Sequence, residues 1–273
     1  MTLQEYVREL ILMDRQYGQE EELYPLINML LRENDNVRHL SIRDVHASQG
    51  AVYRKNMLYG YASKPDLAIL SEDYDPDVLI EFNEISKINE FFKTYKKNLP
   101  DKENTLQRLS NEILKTKDTL KEVANLMLGC VEAKTEINLS ILEKEKVSIS
   151  ELPTQLSGEL LWYGKVLYTD GFKWYYLEIP EEDKKEIRNE FFNGSYHLDN
   201  IKTEHICVEI GHLKLYEIKN KKRTLIINDL AELNKRFYEK VEKTYEWEKE
   251  WNRLKYNLAS INWRGKNEPN QFL

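Results

Sequence analysis

The sequence predicts an α/β protein in which helices flank a mixed β-sheet. Three observations carry that expectation. Apolar residues recur at helical spacing near the N-terminus, Leu67-Ala68-Ile69-Leu70 is a continuous apolar run, and Lys165 to Ile179 alternates around a Thr-Asp-Gly turn. Helical and extended segments interleaved in this way bury a sheet between helical layers.

Residues 2 to 16 read as a helix with Tyr6, Leu10, Ile11 and Met13 on or near one face and Gly18 as its stop. A second helix is expected from Glu21 to Arg32, with Leu23, Leu26, Ile27, Leu30 and Leu31 turned inward. Pro25 falls in its first turn, where the missing N–H has no partner to lose. Val37 to Leu70 reads as short extended runs, with Asp66 at the head of the last. Between about residues 73 and 127 the helical spacing returns (Phe82, Ile85, Ile88, then Leu106, Leu109, Ile113) with Pro100 as a turn, which predicts a helical hairpin inserted between two strands. Leu128 to Thr135 resumes the sheet, and Gln155 to Tyr163 reads as a crossing helix. After Pro180 a charged helical piece over Glu181 to Phe192, strands around Cys207 to Ile218 and one long helix from about Asn228 are expected. The apolar stripe of that helix would be Leu230, Leu233, Phe237, Val241, Tyr245, Trp251, Leu254 and Leu258. Residues 1–180 are thus expected to form the core with its insertion, and 181–273 a mainly helical α+β extension.

Bulk properties narrow the function. With 41% hydrophobic and 32% charged residues and a net charge of -7, the chain lacks the positive field of a nonspecific nucleic-acid coater. Cys130 and Cys207 form no zinc spacing, and His205 and His212 read as structural or solvent-exposed, so a reduced, cytoplasmic setting without zinc is expected. No run of about 18 apolar residues occurs, which argues against export or a membrane span.

The residues that carry chemistry are acids and one lysine. In an extended chain alternate side chains share a face, so Glu132 and Lys134 of LGCVEAKT point together. Most such pairs are exposed and worth under about 1 kcal/mol. Here Leu128, Cys130 and Val131 mark a strand with little exposed surface. Asp66, which could be a turn residue after Pro65, and Glu20, which could simply suit a helix start, fall where the sheet should end in a cleft. Carboxylate oxygens suit Mg²⁺, and a lysine beside them can orient water and meet negative charge in phosphoryl chemistry.

Pro65-Asp66 before an apolar strand, with Glu132-Ala133-Lys134 on a later one, resembles the signature of the PD-(D/E)xK nuclease superfamily, whose fold is the restriction-endonuclease-like core. Glu20 before Leu30-Leu31, Gln155 on the crossing helix, and Leu167-Tyr168-Thr169-Asp170-Gly171 with Trp174 resemble the nuclease domains of type I restriction enzymes. The similarity spans about residues 18 to 180 without the insertion. It implies a Mg²⁺-dependent deoxyribonuclease, with Mn²⁺ as a substitute metal, in a restriction or phage-defence setting. Asp66, Glu132 and Glu20 would hold the metal, Lys134 would orient and help deprotonate water, and Gln155 would steady substrate or lysine. The resemblance implies DNA; the residues themselves do not separate DNA from RNA.

Two departures stand out. The 66 residues between Asp66 and Glu132 exceed the family's short hairpin, and Glu159 stands where a tyrosine would follow Gln155 by four. A rival strand, VLIEFNEI, offers Glu81 nearer to Asp66 but has Asn83 in the lysine position. Lys219, Lys221, Lys222 and Arg223, with Lys184 and Lys185, are candidate phosphate contacts, and the insertion or the last helix is a candidate surface for a homodimer or a partner protein. The contrasting functions are a non-catalytic nucleic-acid-binding or scaffold protein on the same fold and a nuclease switched on by a partner or signal.

Overall fold

The structure, a computed structural model, describes residues 1–16, 18, 20–45, 65–74, 125–137, 140–143, 149–186, 205–219, 222–227, 229–240 and 242–273. Helix α1 (Leu3–Arg15) starts at Thr2, whose hydroxyl accepts from Glu5 N while the Glu5 carboxylate returns to Thr2 N. A 3₁₀ turn (Glu20–Glu22) leads into α2 (Leu23–Arg32), with Pro25 in its first turn as expected. The extended run anticipated from Val37 begins later. Asn34 instead precedes a short helix, α3 (Asp35–Arg38), and that turn delivers Val37 to the core.

Strands β1 (Ser41–Asp44), β2 (Leu67–Leu70) and β3 (Met127–Ala133) form an antiparallel meander. Helix α4 (Thr154–Tyr163) then crosses over, and β4 (Lys165–Thr169) pairs in parallel with β3. Strands β5 (Lys173–Glu178) and β6 (Ile206–His212) continue antiparallel, which completes a six-stranded mixed sheet in the order β1-β2-β3-β4-β5-β6. A separate ribbon pairs β7 (Tyr216–Lys219) with β8 (Lys222–Leu225). The charged piece after Pro180 is helical at 181–186. The proposed hairpin, including Glu81 and Asn83, lies outside the described residues apart from its edges.

Both faces of the sheet are covered, which explains why β2 is buried at all four positions. Leu67, Ile69, Val131, Ala133, Leu167, Trp174 and Tyr176 pack into one core with residues of α1 and α2. The alternate set, Ala68, Leu70, Cys130, Val166 and Leu177, is buried on the other face, where α4 packs on β3 and β4. Glu132 and Asp66 belong to this alternate set.

The expected single C-terminal helix is two: α5 (Leu230–Glu239) and α6 (Glu242–Ser260). Lys240 sits in the left-handed region at φ 48°, and its N–H closes α5 on Arg236 O. The break rephases the stripe, so Trp247 is buried while Tyr245 is 73% exposed. Helix α6 packs on β6, and Trp247, Trp251, Leu254 and Leu258 enter the same core as α1 and α2. The segment after residue 180 therefore shares both sheet and core with the residues before it. Among the described residues no helix is long and apolar enough to cross a membrane.

Candidate metal centre

The antiparallel register of β2 and β3 places Leu67 opposite Val131, and Asp66 N donates to Val131 O at 3.1 Å. Carried one residue further, that register sets Asp66 opposite Glu132. Opposed residues share a face, so the long segment between these two acids leaves them adjacent. In the parallel ladder Glu132 is also opposite Tyr168. Lys134, two residues beyond Glu132, is fixed by its own N–H, which donates to Thr169 O at 2.8 Å.

Glu20, Asp66 and Glu132 each present a carboxylate oxygen, and these oxygens lie within 4.8 Å of one another. The triad could hold a metal ion. Asp66 is oriented by Ala133 N, which donates to Oδ2 at 2.7 Å, and by the Tyr24 hydroxyl, which donates to Oδ1 at 2.5 Å. Lys134 Nζ is 3.3 Å from Glu20 Oε1 and donates to Glu132 Oε1. Gln155 Nε2 donates to that same Glu132 oxygen and, at 3.2 Å, to Glu159 Oε1. All five residues singled out from the sequence, Glu20, Asp66, Glu132, Lys134 and Gln155, thus converge.

Glu132 is 1% exposed, and among the described residues its Oε2 is a buried acceptor with no hydrogen-bond partner. A buried carboxylate oxygen left in that state costs several kcal/mol by order of magnitude. Burial, and then the neighbouring carboxylates of Glu159 and Asp66, hold the Glu132 carboxyl well above the usual range, against the opposing pull of Lys134. Burial also raises Glu20. For Lys134, burial disfavours the charge, but Glu132, Glu20 and Asp66 outweigh it and leave the ammonium more basic than an ordinary lysine. Lys134 is therefore a cation and hydrogen-bond donor here rather than a ready base. Three hard oxygen donors with an orphaned acceptor fit a divalent cation such as Mg²⁺, Mn²⁺ or Ca²⁺.

Sequence reasoning gave no site role to three neighbours. Tyr24 reads as one more residue of the α2 stripe, and only the fold brings its hydroxyl to Asp66. Glu159, fully buried, was visible as the departure from a tyrosine, four residues after Gln155 on one helix face. Tyr168 is buried beside Glu132, and burial with that carboxylate pushes its phenol up to about 12, although Lys134 pulls the other way. Tyr163 is packed in the core.

The basic candidates fare differently. Arg223 is committed to structure: it donates to Asp170 Oδ2 at 2.6 Å and to Thr135 O, and lies 4.4 Å over the Phe172 ring. Lys184 is buried, with its stem against Gly164 and its ammonium 3.4 Å from Glu181, which removes it as a phosphate contact, whereas Lys185 is exposed. Lys219 and Lys222 pair at the tip of the ribbon, and Lys221 lies outside the described residues. Cys130 and Cys207 are free thiols, and His212 is engaged by Glu209 and Tyr216. No family model, curated protein or solved structure matches the chain, so its chemistry is read from the Glu20, Asp66 and Glu132 cluster itself.

Proposed function

We propose that the chain is a metal-dependent nuclease of the PD-(D/E)xK type, with a restriction-endonuclease-like core, that hydrolyses phosphodiester bonds. DNA is the substrate and restriction or phage defence the setting that the resemblance implies. The observation that carries this reading is the meeting of Glu20, Asp66 and Glu132 within 4.8 Å, with Lys134 and Gln155 both on Glu132. Asp66 precedes β2, Glu132 lies on β3 and Glu20 stands in the 3₁₀ turn before α2.

Asp66, Glu132 and Glu20 would hold Mg²⁺. When bound, such an ion neutralises phosphate charge and acidifies a water ligand. Tyr24 and the Ala133 amide keep the Asp66 carboxylate oriented. Gln155 holds one Glu132 oxygen on the cluster, while among the described residues the other has no hydrogen bond. Lys134, as an ammonium, can orient the attacking water and stabilise the charge that develops on the phosphoryl oxygens. The apolar strands around these groups lower the local dielectric and strengthen each interaction.

The test is incubation of the purified protein with supercoiled plasmid, single-stranded DNA and RNA in Mg²⁺ or Mn²⁺, beside Lys134→Ala. Metal-dependent cleavage by wild type and its loss in the variant support the assignment. Equal cleavage by both, or none under any metal or substrate, rejects it. A second reading, a non-catalytic binding or scaffold protein on this fold, draws on one contact: Lys134 bridges Glu132 and Glu20, so an ammonium already offsets two carboxylates. That reading expects no calorimetric Mg²⁺ or Mn²⁺ binding that Asp66→Ala abolishes.

A further inference from the structure

A cavity of about 250 Å³ opens beside the carboxylate cluster, with Glu20 in the wall of both. Its apolar lining comes from Leu10 and Met13 of α1, Leu23 of α2, Phe172 of the β4–β5 turn and Leu225 of β8. Thr135 also lines it, so the cavity and Lys134 are one residue apart along the chain. The volume is below the roughly 300–1,000 Å³ of pockets for drug-sized ligands, which fits a single ring system.

Charge selects the kind of ring. Arg223, which lines the cavity, is already neutralised by Asp170 and Glu20 is paired with Lys134, while Asp14 adds negative charge to the wall. A phosphate is repelled there. A neutral planar ring with amino groups is not, because apolar walls take its faces and Asp14 can accept from its edge. Arg223 is pinned by Asp170 and the Thr135 carbonyl and lies against the Phe172 and Tyr216 rings, a rigid guanidinium of the kind on which bases stack.

Resting on the nuclease reading, we infer that this cavity receives one unstacked nucleobase of the substrate strand, from a nucleotide next to the phosphate held at Glu20, Asp66 and Glu132. A base inside a continuous duplex cannot enter it. The substrate class is therefore nucleic acid with an unpaired position: a single strand, a frayed end, a gap or an extruded base.

The experiment places 2-aminopurine, whose fluorescence rises on unstacking, at successive positions of single-stranded and duplex oligonucleotides, with Ca²⁺ in place of Mg²⁺ to hold substrate uncut. Wild type should change the signal at one position only, and in Mg²⁺ should cut the unpaired substrates about 10-fold or more faster than intact duplex. Met13→Trp, which fills the cavity from a half-buried position, should lose both the signal and about 10-fold in kcat/KM while Mn²⁺ affinity stays at the wild-type value. Met29→Trp, the same exchange at an exposed site on α2, should cut as wild type does. Cleavage with no 2-aminopurine response at any position, or full activity in Met13→Trp, overturns the inference and leaves the nuclease reading standing. If Met13→Trp does not fold, the wild-type fluorescence decides alone. A free nucleoside that stabilises wild type while oligonucleotides give no signal assigns the cavity to a soluble ligand and also overturns it. A wild type that neither cuts nor binds metal removes the reading on which it rests.

Discussion

Two buried acids, Glu132 on β3 and Asp170 in the turn after β4, are treated in opposite ways by the same fold. Asp170, 2% exposed, is fully engaged: Phe172 N and Lys173 N donate to Oδ1 at 3.0 and 2.8 Å, and Ile137 N and Arg223 donate to Oδ2 at 2.9 and 2.6 Å. Gly171 follows at φ 81°, where a side chain would also strike Leu23, so the Thr-Asp-Gly turn is a hub that ties the strand pair to β8 and α2. Glu132 accepts from Lys134 and Gln155 through Oε1, but among the described residues its Oε2 has no hydrogen bond, and the carboxylates of Glu159 and Asp66 face it. A fully bonded buried carboxylate holds a fold together; one with a bare oxygen is kept at a cost in stability, which leaves room for a ligand.

The difference can be broken from either side. The largest effect expected is on chemistry: Asp66→Ala and Lys134→Ala should each lower metal-dependent cleavage by about 10²–10³-fold in single-turnover assays. Asp170→Ala should instead strike the fold, since it strands Arg223 and three backbone N–H groups, at about 3–5 kcal/mol in urea unfolding. Should Asp170→Ala leave stability intact and abolish cleavage alone, the division between structural and functional acids collapses. Tyr24→Phe removes the hydroxyl that orients Asp66 and should weaken Mn²⁺ affinity about 10-fold by calorimetry, with the circular-dichroism spectrum unchanged. An affinity equal to wild type would make Tyr24 a packing residue only.

Much of this was legible before the fold. The Asp66 and Glu-x-Lys positions were readable because strand periodicity fixes which side chains share a face, and the register confirms that Asp66 and Glu132 meet. Glu20 among three consecutive acids, and Gln155 on its helix, were readable only through the resemblance. Tyr24 was hidden because its spacing matches the apolar stripe of α2, and Asp170 because a turn signal does not report what a carboxylate will bind across a sheet. The break at Lys240 left no glycine or proline to announce it, so Tyr245 was placed in a stripe that the structure gives to Trp247. Tertiary contacts decide each of these, and local pattern does not contain them.

The smallest effect is also the most direct. The folded-state pKa of Glu132 is raised, so the stability it contributes is fully present below its unfolded value and is lost as pH rises through the folded one. Lys134 is raised as well, but its contribution persists until pH passes the ordinary lysine value, and so stays constant below that. In EDTA, Glu132→Gln should therefore be more stable than wild type by about 0.5–2 kcal/mol near neutral pH, with the gap closing toward pH 5. Saturating Mn²⁺ should reverse the order, because only the wild-type carboxylate completes the triad. The decisive measurement is the melting temperature of both proteins in EDTA and in Mn²⁺ at neutral pH. The account predicts that the variant melts higher without metal and lower with it; the same order in both conditions would contradict it.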